Sequence, residues 1–360
     1  MAITNKVEFN YNLISKYRNL LFGVSAIMVI LFHYAADIKT FGGSRIAQQY
    51  QKITIDLMGS CGVDIFAFLS GVGSYYSLKS CYNFRHFFIK RVIKLFISYL
   101  VVAIPFWVIL DFVINQTGIS GFISDLFFIS FFSNGTRDYW YICFALISYL
   151  IIPSIYRYIE KCENGPKLYY SRCCILLSAY FLVLFLSGIV FPEFIINTEI
   201  MLGRFLTVFL GLMMGRLIYA GSKMKKSHIL IMISMLFLTD FCKNAIKISW
   251  IRMLFNRWNL GIKGVLFILA FCLMRSLLSD EKNTIDEILN YVGSYSLELY
   301  LIHVSIRGLL YNSPIYSSNL LLYATMIVVS FLLSIALKSI TKRISAKLLI
   351  SRKVSAIQTR

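Results

Sequence analysis

Apolar runs of about 20 residues recur between residues 20 and 338, separated only by short polar connectors, and this recurrence leaves few folds open. A hydrocarbon environment requires each crossing segment to satisfy its own backbone, which helices do and isolated strands do not. Of 360 residues, 58% are hydrophobic and 16% aromatic, and no polar block is large enough for a soluble domain. The chain therefore reads as an all-α, polytopic membrane protein of about ten transmembrane helices. Spans are expected near 20–36, 56–78, 93–114, 139–156, 172–191, 203–219, 228–243, 262–279, 292–310 and 320–338, with 122–133 as a re-entrant or interfacial segment. The first span follows a polar leader with no small-residue cleavage site after it, so it is expected to be retained.

The net charge of +19 at first resembles that of a nucleic-acid binder. The basic residues, however, fall in short connectors and in the tail, where membrane topology explains them without nucleic acid. They favour the segments on the side of the N-terminus, so both termini are expected in the cytoplasm of a multi-pass cell-membrane protein. The segment 243–263 departs from that bias, carrying Lys243, Lys247, Arg252, Arg257 and Lys263 with Trp250 and Trp258, and is expected as a basic outer loop. Residues 1–338 are expected to form a single transmembrane domain and 339–360 a basic cytoplasmic tail against anionic lipid headgroups. The eight cysteines show neither CxxC nor Cys/His spacing, and no metal is expected.

The first span, RNLLFGVSAIMVILFH at 18–33, ends in an imidazole at membrane depth. Left uncompensated, such a group costs on the order of 3 kcal/mol, so it marks a functional site by default. At about 1.5 Å per residue, Asp64 and His303 fall at nearly the depth of His33. Asp64 shares a helix face with Ser60, Ala67, Gly71 and Ser74, and His303 shares one with Ser296, Tyr300 and Arg307. An imidazole held by a carboxylate is what general-base catalysis on a hydroxyl requires.

Several motifs occur in order: the His-terminated first helix, GVDIFAFLSG at 62–71, RHFFIKR at 85–91, Trp140 followed by Tyr149 and Pro153, Arg204 to Gly211, and SYSLELYLIH at 294–303. Together they resemble the acyltransferase-3 superfamily of membrane acyltransferases over residues 18–303. The resemblance implies an acyl-CoA donor, commonly acetyl-CoA, reached from the cytoplasm. It also implies transfer to a sugar hydroxyl of a surface polysaccharide or its lipid-linked precursor. By carry-over His33 is the expected base and Asp64 its expected orienting acid. Arg85, Lys90 and Arg91 are expected on the CoA phosphates, with which Arg and Lys pair well. Trp140, Arg204, Tyr300 and His303 are expected to line the acceptor pocket. Two positions depart from the pattern. Many relatives carry an arginine where this chain has Phe22, with Arg18 one turn below it, and glutamates where it has Ala145 and Leu146. A transporter or flippase of lipid-linked glycan is the competing class, since it too needs a charged interior layer.

Overall fold

The computed structural model describes residues 10–160, 165–278, 283–313, 316–317 and 319–358. Among them the chain is helical throughout, with no strand longer than the single bridge Asn10–Lys223. After a single turn at Leu13–Lys16, the helices are α1 (Arg18–Phe41), α2 (Arg45–Ile53), α3 (Cys61–Ser80), α4 (Phe84–Val108), α5 (Gly118–Leu126), α6 (Ile129–Asn134), α7 (Trp140–Glu160) and α8 (Pro166–Val190). They continue as α9 (Pro192–Leu202), α10 (Phe205–Tyr219), α11 (Lys226–Ala245), α12 (Ser249–Leu277), α13 (Thr284–Ser294), α14 (Ser296–Tyr311) and α15 (Leu320–Gln358). Nine helical stretches among the described residues are long and apolar enough to cross a membrane. The protein is thus an all-α, polytopic membrane protein.

Nine of the ten expected spans coincide with these stretches. The remaining one, 292–310, is divided: α13 ends at Ser294 and α14 has 16 residues, about 24 Å of helix against a hydrocarbon core of about 30 Å. Just before the division the packing is close: a Cβ on Gly293 would lie 2.1 Å from the Asn19 carbonyl oxygen and one on Gly23 would lie 2.1 Å from that of Leu289. These glycines bring α13 against α1 backbone to backbone. The segment 122–133 forms parts of two short helices, α5 and α6. The expected outer loop at 243–263 is mostly helix: α12 begins at Ser249 and carries Trp250, Arg252, Arg257, Trp258 and Lys263. Helix α15 continues past residue 339 without a break, while Arg352 and Lys353 of the expected tail lie where side chains are not described.

The helices cluster into two units. The first comprises residues 1–32, 53–82 and 150–294, the second 33–52, 83–149 and 295–360. Helices α1 and α7 contribute to both, and the boundary in α1 falls at His33.

In the first unit α3 and α10 meet closely. A Cβ at Gly71 would be 2.2 Å from the Val208 oxygen, and one at Gly211 would be 2.1 Å from the Phe68 oxygen. Small residues substitute here for the hydrophobic drive that is missing between helices in lipid. The small face expected on α3 is this one: Asp64, Ala67 and Ser74 are completely buried along it. Around it Leu21, Ile65, Phe68, Leu69, Ile268 and Cys272 form an apolar core.

In the second unit α14 packs on α15 and both pack on α4. Pro105 lies inside α4, which passes into a wider turn where Asn115 N donates to the Leu110 oxygen at 2.7 Å, five residues back. Such turns arise where the ordinary helical ladder is interrupted.

Candidate active site

The second unit brings His33 and His303 together as stacked rings, with centroids 5.3 Å apart and planes 8° from parallel. His303 is 1% exposed, and its Nε2 lies 3.4 Å from the Tyr323 hydroxyl. His33 keeps part of its surface open, although its Nδ1 is enclosed. Of the two residues His33 is the less enclosed, which suits it to meet a substrate while His303 supports it.

One helical turn further along α1 stands Asp37, and one turn further along α14 stands Arg307. The Arg307 Nε donates to both Asp37 oxygens, at 3.1 and 3.0 Å, and Nη2 donates to Oδ1 as well. Tyr316 donates its hydroxyl to the second oxygen at 2.5 Å. Burial, reinforced by the Asp37 carboxylate, pushes the Tyr316 hydroxyl well above its ordinary range and keeps it a donor. Because residues four apart lie on one helix face, the two helices form a ladder whose rungs are His33–His303 and Asp37–Arg307. Arg307 was already legible as part of the polar face of α14. Asp37 was not singled out, although an acidic residue four positions after His33 near the end of an apolar helix is a signal for it.

The connector before α7 is fixed to α14. Tyr139 has φ of 52°, a left-handed conformation rare for a large side chain, and is completely buried. Its hydroxyl donates to Ser305 Oγ at 2.5 Å, and Ser305 in turn donates to the Leu301 oxygen at 2.6 Å. Asp138 precedes it and sits so close to α14 that a Cβ on Gly308 would be 3.5 Å from its Oδ1. Burial pushes the Asp138 carboxyl up to about 6; Arg307 opposes the shift and Asp125 adds to it. Trp140 is nearly buried and packs edge-on against Tyr141, 5.9 Å away, and Tyr141 meets Tyr300 edge-on at 5.6 Å. Trp140, Tyr300 and His303 therefore belong to the unit that holds His33.

Asp64 and Arg204 lie in the first unit, where both are completely buried. Arg204 Nε is 3.4 Å from Asp64 Oδ2, Nη2 donates to Ser60 Oγ at 2.8 Å, and Nη1 donates to the Ile200 oxygen at 2.9 Å. Thr207 donates to Asp64 Oδ1 at 3.3 Å. Beside them Glu199, also completely buried, takes two bonds from Arg257, at 2.5 and 2.9 Å. These charges brace the break between α9 and α10 against α3 and α12. Breaking such a buried pair is costly because it leaves the other charge uncompensated. The carboxylate expected to orient His33 is engaged by Arg204 and Thr207. The Arg204 guanidinium, expected in an acceptor pocket, is held by internal groups. Arg257, read in the sequence as part of a basic loop, is instead the partner of a completely buried carboxylate, Glu199.

The three basic residues expected at the donor begin α4, whose first turn is capped by the Asn83 side chain accepting from His86 N at 2.9 Å. At about 3.6 residues per turn, Lys90, Arg91 and Lys94 share one side of α4, and Arg85 points away from it. Arg85 and Lys90 are exposed, while Arg91 lies over the rings of Phe87 and Tyr149, at 4.8 and 5.1 Å. In the first unit Arg18 reaches one turn along α1, its guanidinium 5.0 Å from the centre of the Phe22 ring. Gly73 makes room for it, since a Cβ there would lie 2.9 Å from Arg18 Nη2. The Arg18 guanidinium thus stands beside Phe22, one turn along α1 from its own backbone.

A stacked histidine pair, His33 of α1 and His303 of α14, thus lies within a polytopic membrane protein. A family model described as an acyltransferase domain matches residues 17–339, nearly the whole chain, and the chain belongs to that acyltransferase-3 family. No curated protein and no solved structure matches the chain. The protein is accordingly a membrane acyltransferase.

Proposed function

We propose that the protein transfers an acyl group, acetyl as the expected case, from acyl-CoA to a hydroxyl of a sugar in a surface polysaccharide or its lipid-linked precursor. The observation that carries the reading is the stacked pair of His33 and His303, with His33 the partly open member. In the reaction His33 accepts the hydroxyl proton as the oxygen attacks the thioester carbonyl. The new C–O bond forms, the C–S bond breaks, and the proton passes from the imidazolium to the departing CoA thiolate. A positioned base of this kind contributes on the order of 100-fold or more. His303 and Tyr323 hold the ring, and the Asp37–Arg307 rung fixes the spacing of α1 and α14 one turn away. Asp64, in the motif position of the family, supports the fold of the first unit through Arg204.

The donor is assigned to the cytoplasmic ends of the helices, where Lys90 and Arg91 on one side of α4, and Arg85 on the opposite side in its first turn, offer positive charge to the CoA phosphates. This placement rests on both termini being cytoplasmic in the cell membrane, as the distribution of basic residues favours. Trp140 and Tyr300, packed around Tyr141 in the unit that holds His33, are assigned to the acceptor side. The test is direct: purified protein in lipid nanodiscs is incubated with acetyl-CoA labelled in the acetyl group and with glycan from cells lacking this protein. Labelled, alkali-labile O-acetyl ester on the glycan supports the proposal. Intact acetyl-CoA and unlabelled glycan, with protein that remains folded, refute it.

A further inference from the structure

Beyond the Asp37–Arg307 rung, three aromatic rings from three separate segments close over the same end of the second unit. Phe41 ends α1, Tyr311 ends α14, and Tyr316 lies in the connector before α15. Phe41 meets Tyr311 edge-on at 5.1 Å and Tyr316 edge-on at 5.4 Å, and Tyr311 and Tyr316 are 6.0 Å apart. Phe41 and Tyr311 are 41% and 40% exposed, whereas Asp37 beneath them is completely buried. Arg307 joins the layers, its guanidinium 5.6 Å from the centre of the Tyr311 ring.

We propose that Phe41, Tyr311 and Tyr316 form a carbohydrate platform, with Arg307, neutralised by Asp37, as its polar edge, that holds an uncharged pyranose of the acceptor about two sugars beyond the one acylated. This inference rests on the reading of the protein as a glycan acyltransferase. Three features define the occupant. The exposed rings offer apolar faces to the C–H face of a pyranose, the common way in which an aromatic wall and a few placed polar groups fix a ligand. Carboxylate and guanidinium are tied to each other, so the pair has no net charge to attract an anion or a cation, yet the Arg307 side chain, 24% exposed, remains within reach of hydroxyls as a donor. Phe41 lies eight residues after His33, about 12 Å along α1 and roughly two pyranose lengths, so a sugar on the platform lies about two residues along the glycan from the one whose hydroxyl meets His33. Aromatic residues at a membrane interface commonly anchor to headgroups one by one. Here the rings instead pack edge to face over the Asp37–Arg307 pair.

The experiment is saturation-transfer NMR on the full-length protein in lipid nanodiscs, which avoids maltoside detergents that are themselves glycosides. The probes are methyl pyranosides and the corresponding methyl disaccharides. The variants are Phe41→Leu with Tyr311→Leu, which keep apolar bulk and remove the aromatic faces, and Phe41→Tyr, which restores a face. Wild type is expected to saturate the C–H face of a disaccharide more strongly than a monosaccharide. The double Leu variant is expected to weaken disaccharide binding roughly tenfold, with Phe41→Tyr binding as wild type. Equal binding by wild type and the double Leu variant overturns the platform, and so does the absence of saturation of any neutral pyranoside by wild type. The labelled-acetyl assay reports separately on the transferase reading: transfer to glycan together with unaltered sugar binding in the double variant refutes the platform alone.

Discussion

The Asp37–Arg307 rung is the interaction whose loss should be most measurable, and a double-mutant cycle isolates it. Asp37→Asn keeps the shape of the side chain but replaces one acceptor oxygen with a donor that faces the guanidinium, disrupting part of a set of three Arg307 bonds and the bond from Tyr316. Removing one partner of a fully buried ion pair costs about 3–5 kcal/mol. The Arg307 side chain is 24% exposed, so water relieves part of that penalty, and about 2–3 kcal/mol is expected for Asp37→Asn. Arg307→Gln should cost a similar amount because it leaves the Asp37 carboxylate buried without its guanidinium. Once either charge is gone the second substitution removes little, so the double variant should be more stable than the sum predicts by about 2 kcal/mol. The assay is unfolding by SDS titration from mixed micelles, followed by tryptophan fluorescence. Additivity of the two single effects to within about 0.5 kcal/mol would show that the rung does not act as a pair and would refute the ladder.

Three further outcomes follow from other parts of the structure. Arg204→Met alone should destabilise the first unit strongly by leaving the Asp64 carboxylate buried, and adding Asp64→Leu should recover much of the loss; a double variant no better than the single would show that the pair is not the brace. Gly211→Val places a Cβ where the Phe68 oxygen is only 2.1 Å away, and the protein should lose about 3 kcal/mol or fail to accumulate, as read by the yield of monodisperse protein on gel filtration. Asp138 keeps its proton to about pH 6 in the folded protein against a value of 3.8 for an ordinary aspartate. The folded state therefore binds the extra proton between those values, and the stability owed to this residue is lost as pH rises through that window. Asp138→Asn should flatten the fall in melting temperature there, and an unchanged pH profile would contradict the burial of the carboxyl.

Much of the fold is legible because lipid imposes so simple a rule: length and apolarity of each run place nine of the ten expected spans on long helices. The exception shows where the rule stops. The break at Tyr295 follows a stretch where two glycines bring α13 onto α1, a contact between residues about 270 positions apart that no local pattern displays. Similarly, segment 243–263 reads as a loop from its charge, but Arg257 can be helical and largely buried because Glu199 neutralises it. Within the site, His33, His303 and Arg307 could be found from depth and helical spacing. The alliance of Asp64 with Arg204 could not, since pairing of buried charges is decided by three-dimensional proximity. Asp37 fell just beyond the window counted as the first span, which the structure extends to Phe41.

The role of His33 is tested most directly by replacing it with glutamine, which still hydrogen-bonds but cannot take a proton from a hydroxyl near neutral pH. The measurement is the initial rate of acetyl transfer to glycan by His33→Gln in nanodiscs, with thermal unfolding and acetyl-CoA binding measured on the same preparation. A folded variant that binds acetyl-CoA and transfers at about one hundredth of the wild-type rate or less is the predicted result. Transfer at near wild-type rate would contradict the account and return His33 to the ordinary class of histidines that hold helices together.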